Sequence, residues 1–185
     1  MELDEKDIEI LRLLQRDAKM SVKEISERLD SPVTTVYSRI KRLEDLGFIR
    51  GYTALLDASK LGRGTTAFIL ASFTYRAPGI EKTLDQRQIA REVARFPEVQ
   101  EVHIITGDWD ILIKVKDRDV ASIGRFVIDK LRTVEGIEKT LTCMVFETLK
   151  ETQSIQLAEA HKEGGSRDPF NWSKQPIQRR DPKYK

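Results

Sequence analysis

Residues 31–50 read SPVTTVYSRIKRLEDLGFIR, a stretch with a start, a buried stripe and a stop. Ser31 is a good helix N-cap, and Pro32 fits the first helical position, where its missing N–H loses no bond. Gly47 suits the left-handed residue that ends a helix. At about 100° per residue, Val36, Ile40 and Leu43 fall on one face. Thr34, Ser38, Lys41 and Asp45 fall opposite, flanked by Thr35, Tyr37 and Arg42. Burying the first set presents hydroxyls and cations outward.

Working back toward the N-terminus, Ser21-Val22-Lys23-Glu24 is a capping box followed by the apolar stripe Val22, Ile25 and Leu29. Asp4 is a candidate N-cap for DEKDIEILRLLQRD, whose Ile8, Leu11 and Leu14 have helical spacing. Three short helices with a brief connection between the second and third predict a helix-turn-helix, a unit whose last helix docks in the DNA major groove. Thr and Ser hydroxyls suit base edges or phosphates, and Lys41 and Arg42 suit phosphates or guanine. An ordinary solvated helix face explains the same pattern equally well on charge alone.

Beyond Gly47, FIRGYTALLD suggests a wing or linker strand, and DASKLGRG at 57–64 marks a boundary. TTAFILASFTYR from Thr65 then reads as a strand ending at Ala77-Pro78-Gly79. A helix follows with Ile89, Val93 and Phe96 on one face. VQEVHIIT and DILIKV form a hairpin about the turn GDW. DVASIGRFVIDKLRT is a second helix, with Val120, Ile123, Val127 and Leu131 inward, and IEKTLTCMVFETL is a last strand. The order βαββαβ predicts an α+β ferredoxin-like sandwich, an antiparallel sheet with both helices on one face. The other face needs a cover, and a second copy of the chain is the simplest one, so a homodimer is expected. The expected domains are 1–50, a linker strand and boundary at 51–64, the sandwich at 65–150, and an extension at 151–185.

The chain has 185 residues, 39% apolar and 34% charged, as in soluble globular proteins. It contains no long apolar run, and MELDEKD is unlike a secretory signal, so a cytoplasmic protein with no membrane partner is expected. Cys143 sits in the alternating run TLTCMVFE, where a small buried hydrophobe is expected. His103 and His161 are the only histidines, too few for a Cys/His metal cluster, and no G-x-S-x-G motif occurs. No metal, cofactor or catalytic site is expected. The net charge of +2 is thinly spread: residues 1–60 hold 11 Lys/Arg against 12 Asp/Glu, 61–150 hold 14 against 13, and 151–185 hold 7 against 5. With no strongly basic segment, DNA contact has to come from local placement of charge.

The stretches LDEKDIEILRLLQRD, SVKEISERL, VYSRIKRLEDLGFIRGY, DASKLG, TGDWDILIKV and TLTCMVF resemble, in order, the leucine-responsive regulator family, Lrp/AsnC. The resemblance covers residues 3 to about 150. It implies a transcription regulator that binds double-stranded DNA, pairs into dimers and often octamers, and senses an amino-acid effector between dimers. Carried over by position, Ser31, Thr34, Thr35, Ser38, Arg39, Lys41 and Arg42 are the implied DNA-facing residues. Arg39 lies nearer the buried face, where a structural salt bridge and a phosphate contact are equal alternatives. The implied effector site is Gly107, Asp108, Asp110, Thr140 and Thr142. There a carboxylate such as Asp110 suits an α-amino group, and hydroxyls and backbone amides suit the carboxylate. A plain hairpin turn also accounts for Gly107 and Asp108.

Two features depart from the family pattern, the long stretch PGIEKTLDQRQ and the tail HKEGGSRDPFNWSKQPIQRRDPKYK. The tail's Gly, Pro and cations predict a flexible, solvated extension, with phosphate contacts by Arg179, Arg180, Lys183 and Lys185 the weaker alternative. Siroheme decarboxylases resemble the same family in both halves, which makes an enzyme the rival reading. They carry a histidine-rich loop where this chain has TGDWDILIKV. An effector-sensing assembly protein without operator function is a third reading, opposed by the intact third helix.

Overall fold

The computed structural model describes residues 3–74 and 84–157. Two compact units divide the chain: residues up to Thr53 together with the stretch from Gln153, and Ala54–Thr152. The Ala77-Pro78-Gly79 turn and the tail cations Arg179, Arg180, Lys183 and Lys185 lie outside the described residues.

In the first unit, α1 spans Glu5–Arg16, α2 Val22–Arg28 and α3 Val33–Asp45. The first two open with reciprocal capping boxes. Asp4 accepts from the Asp7 N–H at 2.9 Å while Asp7 accepts from the Asp4 N–H at 3.2 Å. Ser21 and Glu24 do the same at 3.2 and 2.7 Å. Each box satisfies two N–H groups that a helix start leaves without partners.

Ile10, Leu13, Ile25, Val36, Ile40 and Leu43 form the core, with Leu11, Leu14 and Ile49 packed around it. At about 1.5–3 kcal/mol for each large side chain fully buried, this small core holds the three helices together. The stripe on α1 is offset from the expected one: Ile10 and Leu13 are buried, and Ile8 is only half-buried. Apolar residues on α1 span two adjoining faces, and docking against α2 and α3 selects between them.

Pro32, rather than Ser31, is the N-cap of α3. The Ser31 hydroxyl instead donates to the Leu29 carbonyl at 3.0 Å and accepts from Lys6 Nζ at 2.6 Å. Gly47 ends the helix as expected, with φ +76 and its N–H on the Glu44 carbonyl at 2.9 Å. The wing strand expected after it does not form, because no neighbouring strand offers residues 51–56 a ladder among the described residues.

In the second unit, β1 spans Thr65–Phe73, α4 Gln86–Val93, β2 Val99–Ile104, β3 Ile111–Asp117, α5 Val120–Arg125 and β4 Ile137–Met144. A π turn at Phe126–Lys130 and a short 3-10 turn at Leu131–Thr133 extend α5. The sheet order is β2-β3-β1-β4 with antiparallel pairing throughout, the ferredoxin-like arrangement. Ala67, Ile69, Ala71, Ile111, Ile113 and Val115 form the helix-covered face, under Ile89, Val93, Ile123 and Phe126. Val120, expected inward, is 62% exposed at the first helical position. Phe126 joins the core instead, edge-to-face with Phe96 at 5.6 Å between ring centroids. Gly136, at φ +92, has no room for a side chain: a Cβ there would stand 2.5 Å from Ile89 and 3.0 Å from Phe73.

The opposite sheet face carries Phe68, Leu70, Leu112, Leu141 and Cys143, aligned by the pairings Leu70↔Leu112, Leu70↔Leu141 and Phe68↔Cys143. Cys143 is therefore exposed, not core, because alternation along β4 puts it on the side the helices leave open. Past β4 the chain folds over one corner of this face. Glu151 pairs with Lys116 at 2.9 Å and also with Lys114, which reaches Glu101 of β2 at 3.0 Å.

Candidate nucleic-acid interface and effector site

Burial of Val36, Ile40 and Leu43 fixes the rotation of α3, so Val33, Thr34, Tyr37, Ser38, Lys41 and Arg42 face outward. Thr34, Ser38 and Lys41 are exposed, and Thr35 is half-buried. The Ser38 hydroxyl donates to the Thr35 carbonyl at 2.9 Å, leaving its lone pairs outward. Lys41 has no salt bridge among the described residues. Tyr37, 59% exposed between these side chains, belongs to the same surface although it is not among the expected site residues. Helical period alone puts it on this face, whereas its aromatic character suggests packing.

The two arginines are held from behind. Asp7, fully buried, receives Arg39 on one oxygen at 2.9 Å and Arg42 on the other, and Arg39 also reaches Asp4 at 2.6 Å. The hydrogen bonds it donates to the carboxylates of Asp4 and Asp7 push the Arg39 guanidinium above its usual range despite some burial. Two acids thus balance two arginines, and each buried oxygen of Asp7 has a charged donor. The side chain of Arg42 is still 45% exposed, enough for its remaining N–H groups to reach outward. Behind the last turn of α3, Tyr52 donates to Glu44 at 2.8 Å, and burial together with that carboxylate pushes its phenol up to about 12.

In the sheet unit, Gly107 (φ +124) and Asp108 sit exposed at the tip of the β2–β3 hairpin. Asp110 is turned inward. Its Oδ2 accepts from the Phe73 N–H at 2.8 Å, at the irregularity between Ala71 and Phe73 where β1 slips register against β4. Its N–H donates to Ala71, and its carbonyl accepts from Ile105 at 2.9 Å and from the Gln86 side chain at 3.3 Å. Thr140 and Thr142 lie on the other flank of β1, opposite Ala71 and Ile69, half-buried on the helix-covered side. Asp110, just before β3, donates its N–H to the Ala71 carbonyl, and Thr140 of β4 is the register partner of Ala71 on the other side, so the two flank the same end of β1. Gly107 and Asp108 stand apart from them at the tip.

The Lrp/AsnC ligand binding domain model matches residues 79–155, and a winged helix-turn-helix DNA-binding model matches residues 3–50. An uncharacterized HTH-type transcriptional regulator from Pyrococcus abyssi is 42% identical over 149 residues, covering 80% of this chain and 96% of that protein. The chain belongs to the Lrp/AsnC family. It is a DNA-binding transcription regulator with an effector-binding domain. The HTH-type transcriptional regulator FL11 of Pyrococcus horikoshii is 32% identical over 155 residues, covering 84% of this chain and 97% of that one. The structure of the transcriptional regulator NMB0573 of Neisseria meningitidis in complex with L-Met superposes with a TM-score of 0.76 at 32% identity, covering 84% of this chain and 97% of that one. Escherichia coli AsnC shares the fold at a TM-score of 0.74 and 22% identity, over 83% of this chain and 99% of that one.

These relatives are transcriptional regulators, which points this Lrp/AsnC protein away from the decarboxylase reading and from catalysis. Among the described residues, no helix is long and apolar enough to cross a membrane.

Proposed function

We propose that this Lrp/AsnC regulator reads duplex DNA with the outer face of α3. Thr34, Ser38 and Lys41 meet bases and phosphates there, with Ser31, Thr35 and Arg42 at the margins and Arg39 bracing the helix from within. The observation that carries this is the division of labour on α3: its apolar face is buried, its arginines are anchored to Asp7, and Thr34, Ser38 and Lys41 are exposed to solvent. Hydroxyls are weak but adaptable base readers, and a helix supported from behind keeps them in register with the groove.

Dimers form in this reading through the open sheet face with Phe68, Leu70, Leu112 and Leu141, which is too apolar to be left uncovered. The effector is an amino acid bound where such dimers meet, near Asp110, Thr140 and Thr142. The complex of NMB0573 with L-Met supports that class of ligand. Selection of binding sites from a random duplex pool tests the DNA half. A single enriched motif for the parent, altered by Thr34→Ala or Ser38→Ala, is expected. Recovery of no motif by the parent would overturn it.

A further inference from the structure

Ser31, a DNA-facing residue by resemblance, has its hydroxyl occupied inside the protein. It donates to the Leu29 carbonyl at 3.0 Å and accepts from Lys6 Nζ at 2.6 Å. A hydroxyl has one proton and two lone pairs, so its only donor is already used. What the bond positions is the Lys6 ammonium. Lys6 is exposed, and Ser31 is the one polar partner of its ammonium among the described residues, which leaves two of its three N–H donors to the outside.

The start of α1 is bound to the reader helix on both sides of Lys6. Asp4 and Asp7 take Arg39 and Arg42 of α3, and Lys6 takes Ser31, two residues before α3 begins. Arg42 flanks the outward row of Thr34, Ser38 and Lys41, so the first turn of α1 borders that row, and Lys6 stands at the end where α3 starts. The acids of this border do not oppose an anion there. Asp4 and Asp7 are balanced by the two arginines, and Glu5, about 200° from the buried Asp7 around α1, is turned away from α3. In the helical unit Lys6, Arg16, Lys19, Arg28, Lys41 and Arg50 form no ion pair among the described residues. Of these, Lys41 is on α3, and Lys6 is the one whose side chain is bonded to the segment leading into it.

We infer that Lys6 is a phosphate contact: its ammonium, steadied by the Ser31 hydroxyl, meets the DNA backbone at the edge of the groove that α3 enters. The inference rests on the DNA-reading function proposed above. It changes the part of Ser31 from a DNA-facing hydroxyl to a positioning residue that acts through Lys6. A helix with its side chains is about 10–12 Å across, and the major groove is about 12 Å wide. An element packed on the flank of a helix in the groove therefore stands over a row of phosphates, and the first turn of α1 is such an element. Lysine is a compact point charge, so the contact adds affinity and salt dependence without choosing bases. Held by Ser31, it has less rotamer freedom to lose on binding.

The test compares the full chain with Lys6→Gln, Lys6→Arg, Ser31→Ala and the double variant of Lys6→Gln with Ser31→Ala. Binding to a labelled duplex of random sequence is followed by anisotropy from about 50 to 200 mM salt, with thermal melts beside it. Lys6→Gln should flatten the slope of log affinity against log salt by about 0.9 for each protomer bound, and bind roughly tenfold more weakly at the low-salt end. It should melt like the parent and select the parent's motif from a random pool. Lys6→Arg keeps the charge and should keep the slope. Ser31→Ala should also keep the slope, weaken binding by roughly twofold to threefold through lost positioning, and add nothing to Lys6→Gln in the double variant. If Lys6→Gln keeps the parent's slope while Lys41→Ala flattens it, the contact is ruled out and the DNA reading stands. A loss shared equally by Lys6→Arg would make Lys6 a structural residue and overturn the contact as well. Additive losses in the double variant would overturn the positioning role and return Ser31 to the DNA surface. A parent that binds no duplex overturns both readings.

Discussion

Arg42, on the outward side of α3, is paired with Asp7 of α1, a carboxylate that has no exposed surface. Since Asp7 also holds Arg39, one buried acid orients both arginines of the helix, and their charges are largely cancelled from behind. Lys41, one residue from Arg42 in sequence, has no such counter-charge among the described residues. Neighbouring cations on one helix thus have different jobs.

That difference separates two substitutions. Lys41→Ala should reduce the salt slope of DNA binding by about 0.9, the share of one neutralised phosphate, and leave thermal stability within about 0.5 kcal/mol of the parent, as for exposed positions generally. Arg42→Ala leaves one buried Asp7 oxygen with the Asp4 N–H but no charged donor, so stability should fall by roughly 1–3 kcal/mol, below the full cost of breaking a buried pair because that bond, Arg39 and the partial exposure of Arg42 all soften the loss. Denaturant titrations of both variants beside the salt series check this. Equal stabilities would mean that the Asp7–Arg42 pair contributes nothing.

Acid should loosen the sheet unit through Glu151. Hydrogen bonds from Lys114 and Lys116 lower its carboxyl from an ordinary 4.5 to about 2, against some burial. A folded-state pKa below the unfolded one gives stability that is fully present above the unfolded value and fades as pH falls through the folded one. The contribution of Glu151 is therefore present above about pH 4.5 and lost toward pH 2. Glu151→Gln should be less stable than the parent at neutral pH, with the gap closing across that window in melts at stepped pH. A gap that stays constant down to pH 2 would mean that the pairing with the lysines does not depend on the charge of Glu151.

Most of this fold is legible in the sequence because its signals are local. Capping boxes at Asp4 and Ser21, Gly47 at a helix end and the alternation of β1 and β3 each depend on a few neighbouring residues. What is not legible depends on partners distant in sequence. Ser31 gives up capping because Lys6 and Leu29 claim its hydroxyl. Cys143 is exposed because its face of the sheet has no helices, a fact that alternation alone cannot assign to one side. Asp7 looks like an ordinary first-turn acid until Arg39 and Arg42 converge on it from residues more than thirty positions away. The same holds for the effector residues: their place near β1 follows from topology, but the strand irregularity that occupies Asp110 has no local signature.

A charge on the open sheet face should prevent pairing. Leu141→Asp places a carboxylate beside Leu70 in the middle of the apolar rows, where a partner copy would have to bury it. Sedimentation or light scattering should report a monomer whose circular dichroism matches the parent, since Leu141 is exposed in the single chain and its loss opens no cavity. A dimer of unchanged strength would place the interface elsewhere.

Asp110 joins the two roles that the sequence leaves open, turn residue and ligand for an ammonium group, and substitution separates them. Asp110→Asn keeps an oxygen able to accept from the Phe73 N–H, now 2.8 Å from Oδ2, so the strand irregularity should survive with a change in melting temperature of a few degrees at most. Asp110→Ala removes the charged acceptor of that bond, at a cost of about 1–3 kcal/mol. Only the charge differs appreciably between Asp and Asn, so loss of amino-acid binding in Asp110→Asn assigns the carboxylate to the ammonium group. A thermal-shift screen of the amino acids, then calorimetry on parent and both variants, reads stability and binding together. Asp110→Asn should bind the stabilising amino acid at least tenfold more weakly while melting near the parent. If Asp110→Asn binds as the parent does and only Asp110→Ala is destabilised, the Phe73 bond is the whole role of Asp110. The ammonium group must then be met by another acid, and Asp108, exposed at the hairpin tip, is the next to change.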